Sequence, residues 1–163
     1  MAVASPAPVD QQVAAAFPSA QVARPADGIT SVRVPLAELV EAVKRIRGPL
    51  QHARFVDLTA VDRLTREDRF ELVYLFYSMQ RHTWLRLKTR TDAEAPSLTA
   101  LVAAADWYER ELFDLFGITF QGHPNLSRIM LPDSWQGHPL RRTEPLGSEP
   151  VDFTVTRGVY GRD

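Results

Sequence analysis

The sequence predicts an α+β fold, with helices packed on one face of a mixed, mostly antiparallel sheet and a long extended C-terminal arm after them. Three observations predict it. Arg69 to Met79 (RFELVYLFYSM) starts by alternating and then turns apolar at successive positions, the pattern of a central strand covered on both sides at one end. Tyr108, Leu112, Leu115 and Phe116 fall on one stripe of a 3.6-residue helix. Beyond Gly117, the residues Gly122, Pro124, Pro132, Gly137, Pro139 and Pro145 punctuate the chain too densely for a long regular element.

The elements follow in order. Residues 1–27, rich in Ala, Pro, Val and Gln, read as a flexible arm with one or two helical turns at Val13 to Phe17, ended by Pro18. Ile29 to Pro35 alternates as a short strand. Leu36, Leu39, Val40, Val43 and Ile46 have helical spacing, and Gly48-Pro49 stops the run. Phe55 to Leu64 is strand-like, and Thr83 to Thr91 sets Leu85 and Leu87 against Arg86, Lys88 and Arg90. Ser97 is expected to cap a short helix through Leu98, Leu101 and Val102. Asp106 with Glu109 three places on reads as a capping box for the next helix, and Gly117 as its stop. The chain thus divides into an arm (1–27), a core domain (28–117) and an extended partner-binding arm (118–163).

That last arm is unusual. It carries Phe120, Leu126, Ile129, Met130, Leu131, Trp135 and Leu140 without the pattern of a helix or strand. Long loops in compact domains are mostly functional or disordered, and this apolar content argues for order against a partner.

Composition narrows the function. A chain of 163 residues fits one domain and can bury roughly 70% of its unfolded surface. A net charge of -1 gives no bulk attraction for nucleic acid. With no cysteine, the chain has no thiolate for an iron–sulfur cluster. No run approaches the roughly eighteen apolar residues of a membrane span, and the N-terminus lacks the basic and apolar regions of a signal peptide. The expectation is a cytoplasmic-side chain whose membrane contact comes only through partners.

Several constellations invite chemistry. Glu111 and Asp114 are a possible acid/base pair, but carboxylates flanking a buried stripe beside Arg110 are better read as solvated or paired. His123 and His138 with Asp133 would be the ligands of a metallohydrolase; their spacing matches no zinc pattern, and hydrogen-bonding loop histidines are the simpler reading. No Gly-rich phosphate loop is present. The Arg86, Lys88, Arg90 stripe near Trp84 is read first as a solvated sheet face, with RNA or lipid contact as the alternative. Arg128, Arg141 and Arg142 sit among apolar and aromatic residues, the composition of interface anchors. They would also brace the arm onto Glu109, Glu111 or Asp114, and the two roles are compatible.

The run Glu109-Arg110-Glu111, Asp114-Leu115-Phe116-Gly117-Ile118, Gly122-His123-Pro124, Arg128-Ile129, Leu131-Pro132, Trp135 and Gly137-His138-Pro139-Leu140-Arg141 resembles a family signature. It is that of the 30 kDa (C) subunit of proton-translocating NADH:quinone oxidoreductase, respiratory complex I. Ser127, where the family has a basic residue, and Glu144, where an aromatic is common, depart from it. The resemblance implies a structural subunit of the peripheral arm, on the cytoplasmic side of the bacterial inner membrane. It would pack against the quinone-site (D) subunit, with the I and B subunits nearby. FMN, iron–sulfur clusters and quinone would reside on other subunits, leaving this chain without catalytic, cofactor or metal residues of its own. The signature residues would then form the partner interface. The equivalent subunit of a membrane-bound hydrogenase, or of a ferredoxin- or plastoquinone-using relative, is the alternative.

Overall fold

A computed structural model describes residues 8–64, 67–132 and 134–144. Strand β4 (Phe70–Ser78) lies at its centre. It pairs antiparallel along its length with β3 (Arg54–Asp62) on one side and β5 (Thr83–Thr91) on the other. Strand β2 (Thr30–Arg33) joins β5 in parallel, and β1 (Gln21–Ala23) joins β2 antiparallel, giving the order β1-β2-β5-β4-β3. Phe70, Leu72, Tyr74 and Phe76 alternate with Glu71, Val73, Leu75 and Tyr77, so one face of β4 enters the core.

Three helices cover that face: α1 (Val9–Ala16), α2 (Leu39–Arg47), which follows a 3-10 turn at Leu36–Glu38, and α3 (Ala105–Phe116). Leu39, Ala42, Val43 and Ile46 are the buried stripe of α2. On α3 the buried apolar positions are Ala105, Leu112 and Phe116. Edge-to-face ring pairs tie this helix to the sheet: Phe70 meets Phe116 at 6.1 Å and Phe55 meets Tyr108 at 5.5 Å. The Tyr108 hydroxyl donates to the Val56 carbonyl at 2.8 Å. A parallel pair, β6 (Glu94–Pro96) with β7 (Thr119–Gln121), brackets α3 as a small β-α-β crossover.

The α+β architecture, the mixed sheet and the two amphipathic helices are as the sequence predicts. Four local expectations are corrected. Residues 9–23 are not a free arm: Val13 and Phe17 are buried in the core and β1 extends the sheet. The core also runs past 117, because Ile118 and Phe120 are buried through β7. Leu98 to Val102 makes only one closed turn, from the Leu98 carbonyl, in place of a helix. The capping box does not form, since α3 begins one residue earlier and has no side-chain cap. Tertiary partners claim both of its carboxylates, as described below.

Phe76 and Leu112 lie at the two sides of the helix–sheet interface, both buried. Replacing either by Ala is expected to cost roughly 2–5 kcal/mol, read as a lower denaturant midpoint with an unchanged slope. An unshifted midpoint at either site would contradict the packing described.

Candidate functional site

Helix α3 exports its polar groups to the segments before and after it. Glu109 points back: Oε1 accepts the Leu98 N–H at 2.7 Å and Oε2 the Ser97 hydroxyl at 2.6 Å. Burial pushes its carboxyl above the usual range, and these two donors only partly offset that.

Asp114 points forward. Its Oδ2 accepts three consecutive backbone N–H groups, Ile129 at 3.1 Å, Met130 at 2.8 Å and Leu131 at 2.9 Å. Arg128 stands 3.4 Å from Oδ1. Asp114 is fully buried. Burial alone would raise its carboxyl, but the three amides and the Arg128 charge outweigh it and hold the group below the ordinary value. One helical turn earlier, Arg110 donates to the Ser127 carbonyl at 3.1 Å and hydroxyl at 2.9 Å. Ser127 is thus the acceptor for this fork.

The C-terminal end of α3 is closed by the same arm. A helix ends with carbonyls that lack intrahelical partners and carries partial negative charge there. His138 Nδ1 donates to the Asp114 carbonyl at 2.8 Å, and the Leu140 N–H to that of Leu115 at 3.1 Å. Arg141 donates to Phe116 at 2.6 Å and Gly117 at 3.3 Å, bringing its charge to the negative end. Gly117 has φ 70°, and a Cβ there would lie 2.3 Å from Arg141 Nη2 and 2.5 Å from His138 Nε2. Its lack of a side chain allows the left-handed turn and the close approach together.

A second clamp holds the next residues. Arg69 grips Asp62 with two N–H groups at 3.0 and 2.6 Å, and Asp62 Oδ2 accepts the Arg142 N–H at 3.0 Å. Arg69 also reaches the Thr143 hydroxyl at 3.1 Å. Mainly because of Arg69, the Asp62 carboxyl lies well below its usual range.

The structure therefore gathers most of the residues singled out from the sequence around one helix. Glu109, Arg110, Asp114, Phe116, Gly117, His123, Arg128, Gly137, His138 and Arg141 all make contacts within the chain. Glu111 and Trp135 are half-buried, Pro124 is exposed, and Pro139 opens the turn that carries Arg141. Asp133 lies outside the described residues. The two histidines serve opposite ends of α3. His123 Nε2 donates to the Asp106 carbonyl at 3.3 Å and lies 3.0 Å from Asp106 Oδ1, while its Nδ1 accepts the Asn125 N–H at 3.0 Å. His138 caps residue 114, about 12 Å further along the axis at 1.5 Å per residue. Among the described residues, no group of three His, Cys, Asp or Glu could hold a metal ion.

Sequence patterns did not reveal the outward surface that this bracing creates. Trp107 is 63% exposed and carries Arg110 over its ring at 5.3 Å. Met130, on the loop fixed by Asp114, is 61% exposed, and Leu140, beside the helix end, is 50% exposed. The signal for Trp107 was its place off the buried stripe of α3. Nothing in the sequence paired Asp62 with Arg142.

Residues 32–150 match the family described as respiratory-chain NADH dehydrogenase, 30 Kd subunit. The chain belongs to this family. It is 43% identical to the NADH-quinone oxidoreductase C subunit of Roseiflexus sp. over 135 residues, covering 80% of this chain and 78% of that one. It is also 43% identical to the C/D subunit of Methylococcus capsulatus over 151 residues, covering 85% of this chain but only 26% of that longer protein. Among solved structures, a chain of the membrane-bound sulfane sulfur reductase, an archaeal respiratory membrane complex, superimposes with a TM-score of 0.72. It shares 25% identity over 83% of each chain. Among the described residues, no helix is long and apolar enough to cross a membrane.

The two buried carboxylates predict opposite behaviour. Asp114 is held charged, so its contribution is present above the unfolded value of about 3.9 and is lost as pH falls through the lower folded value. Asp114→Ala strands three amide donors and is expected to cost at least about 2 kcal/mol at pH 7. Glu109 is raised, so its ionisation weakens the fold as pH climbs through its folded value. Glu109→Gln, which can still accept from Leu98 and bond Ser97, is expected to be neutral or stabilising at pH 7. Urea midpoints of both variants at pH 4, 5.5 and 7 check this pair; equal losses for the two at pH 7 would contradict it.

Proposed function

We propose that this chain is a structural subunit of the peripheral arm of a proton-translocating NADH:quinone oxidoreductase. It packs against the quinone-site (D) subunit, with the I and B subunits nearby, on the cytoplasmic side of the bacterial inner membrane. Electrons pass through FMN, iron–sulfur clusters and quinone on the other subunits, and the isolated chain is not a catalyst. The observation that carries this reading is the outward face of α3 and its docked loop. Trp107, Met130 and Leu140 are large apolar groups held out to solvent on rigid backbone, with Arg110 and Arg128 among them. Exposed apolar groups rimmed by polar ones mark interaction sites, and aromatic and Arg residues dominate interface energetics.

The polar groups support the same reading. Glu109, Asp114, His123 and His138 are engaged in shaping the backbone, which is the work of a scaffold. The Methylococcus capsulatus relative is named as a C/D subunit, so a C-like segment there shares one chain with its D partner. Covalent linkage of two modules favours those that must meet in equal number.

A second reading has its own support. The likeness to a sulfane sulfur reductase chain extends over most of the fold, so the same scaffold suits a related membrane-bound machine such as a hydrogenase or a ferredoxin- or plastoquinone-using complex. The higher identity to the NADH-quinone oxidoreductase C subunit favours the first.

Affinity purification of the tagged chain from its native membranes tests the choice. The expected result is co-purification of the quinone-site subunit at one per chain with flavin- and NADH-binding subunits. Replacing Trp107 and Met130 together by Ala should reduce that retention at least tenfold while leaving the thermal midpoint of the free chain within about 2 °C, since both side chains are mostly solvent-exposed. A chain that purifies alone would overturn the proposal, and hydrogenase- or sulfur-reductase-type subunits in place of the NADH module would establish the second reading.

A further inference from the structure

The face of the sheet that no helix among the described residues covers holds a charge cluster apart from α3. Glu71 on β4 is fully buried, and three cations converge on its carboxylate. Arg63 lies at 2.8 Å, Lys88 at 3.2 Å and Arg33 at 3.3 Å. Burial would raise this carboxyl, but Lys88 and Arg63 pull it below the ordinary value. Arg90 sits directly across the ladder from Glu71. Among the described residues, Arg90 has no hydrogen-bond or ion-pair partner, and its Nε, like that of Arg33, is buried without an acceptor. Three cations thus contact one carboxylate, and a fourth stands across the ladder from it.

The cluster does not stand on a purely polar surface. Val61 and Val73 flank it on the same face, through the Val61–Glu71 and Val73–Lys88 pairs, and Leu75 follows one row further. Val61 is exposed, and Val73 and Leu75 are half-buried. Acidic groups lie to one side: Asp68, Asp92 and Glu94 share a cleft with Arg33 and Arg90. Of these, Asp92 accepts the Arg69 N–H and Glu94 accepts from Gln121.

We propose that this open face docks an acidic protein segment of another subunit, its carboxylates meeting Arg90 and the outward N–H groups of Arg33 and Arg63 while its apolar side chains lie on Val61, Val73 and Leu75. Charge complementarity argues for it. Guanidinium N–H groups at the surface of a rigid ladder suit planar carboxylates. The aromatic pair of the same face, Tyr77 and Trp84, stacks on itself at 4.7 Å. It lies at the far end of the ladder from Glu71 and Arg90, so it is not interleaved with these cations as single-stranded nucleic acid recognition requires. Glu71 anchors Lys88, Arg33 and Arg63 at the sheet, which holds them back from the reach that snorkelling cations use at a lipid surface.

The inference rests on the assembly reading above, and the experiment separates the two. The purified complex is treated with a zero-length carbodiimide, which joins a Lys amine directly to a carboxylate, and the linked peptides are identified by mass spectrometry. The expected product joins Lys88 to an Asp or Glu of another chain. In parallel, Arg90→Glu should lower retention of this chain in the complex at least tenfold at 0.15 M salt, and Arg90→Gln by less. The thermal midpoint of the free Arg90→Gln chain should hold, because Arg90 gives up no described hydrogen-bond or ion-pair partner, whereas Arg90→Glu sets a carboxylate across from Glu71 and its retention is compared at equal folded fraction. Lys88 linked only to Glu71 of its own chain, with Arg90→Glu retained like wild type in an intact complex, would overturn this inference and leave the assembly reading standing. Arg90-dependent binding of the free chain to phosphatidylglycerol vesicles or a 20-nucleotide RNA, without the cross-link, would also overturn it. Failure of any chain to co-purify would remove both.

Discussion

One carboxylate fixes the shape of this molecule's working surface. Asp114 accepts three consecutive amides from a loop that has no helix or strand of its own. Backbone donors in an irregular segment must find acceptors or stay in water. Here a single ionised oxygen on a rigid helix serves three of them, so the 128–131 turn takes the orientation of α3. The burial that would ordinarily neutralise the group is overcome because the donors and Arg128 converge on it.

The rest of the arm repeats the device with the signs exchanged. At Asp114 the helix supplies the acceptor and the loop the donors, whereas at residues 114–117 the helix end supplies carbonyls and the loop supplies His138, Arg141 and the Leu140 amide. Gly117 makes the second half possible by leaving space for two side chains where any Cβ would intrude. Asp62 and Arg69, from the end of β3 and the turn before β4, then extend the fixation to Arg142 and Thr143. The residues singled out from the sequence are thus mostly an internal brace, and those beside them, Trp107 and Met130 above all, face outward because others hold them there.

The sheet and the two main helices were legible because their signals are local periodicities. Val43 and Ile46, or Leu72 and Tyr74, reveal their faces through their neighbours alone. The capping box at Asp106 and Glu109 failed for the opposite reason: the same residues had better tertiary partners, His123 for one and the 97–98 backbone for the other. The helical turns before Pro18 were legible, but the start of α1 at Val9, its docking through Val13 and Phe17, and strand β1 were missed, because the segment is short and three-residue strands carry little pattern. The bracing role of Arg128 and Asp114 was foreseeable from their charges. That Arg141 would seek carbonyls and not a carboxylate was not, because a helix end offers its partial charge only once the chain has folded.

Residues 118–132 and 134–144 are already fixed on α3 and the sheet in the free chain. Amide hydrogen exchange at Ile129, Met130, Leu131 and Leu140 in the isolated chain tests it most directly. A fixed arm predicts protection at these four approaching that of the Phe70–Ser78 strand, and its loss at the first three alone in Asp114→Ala. Exchange at the rate of an unstructured peptide in the free chain, with protection only in the assembled complex, would contradict it.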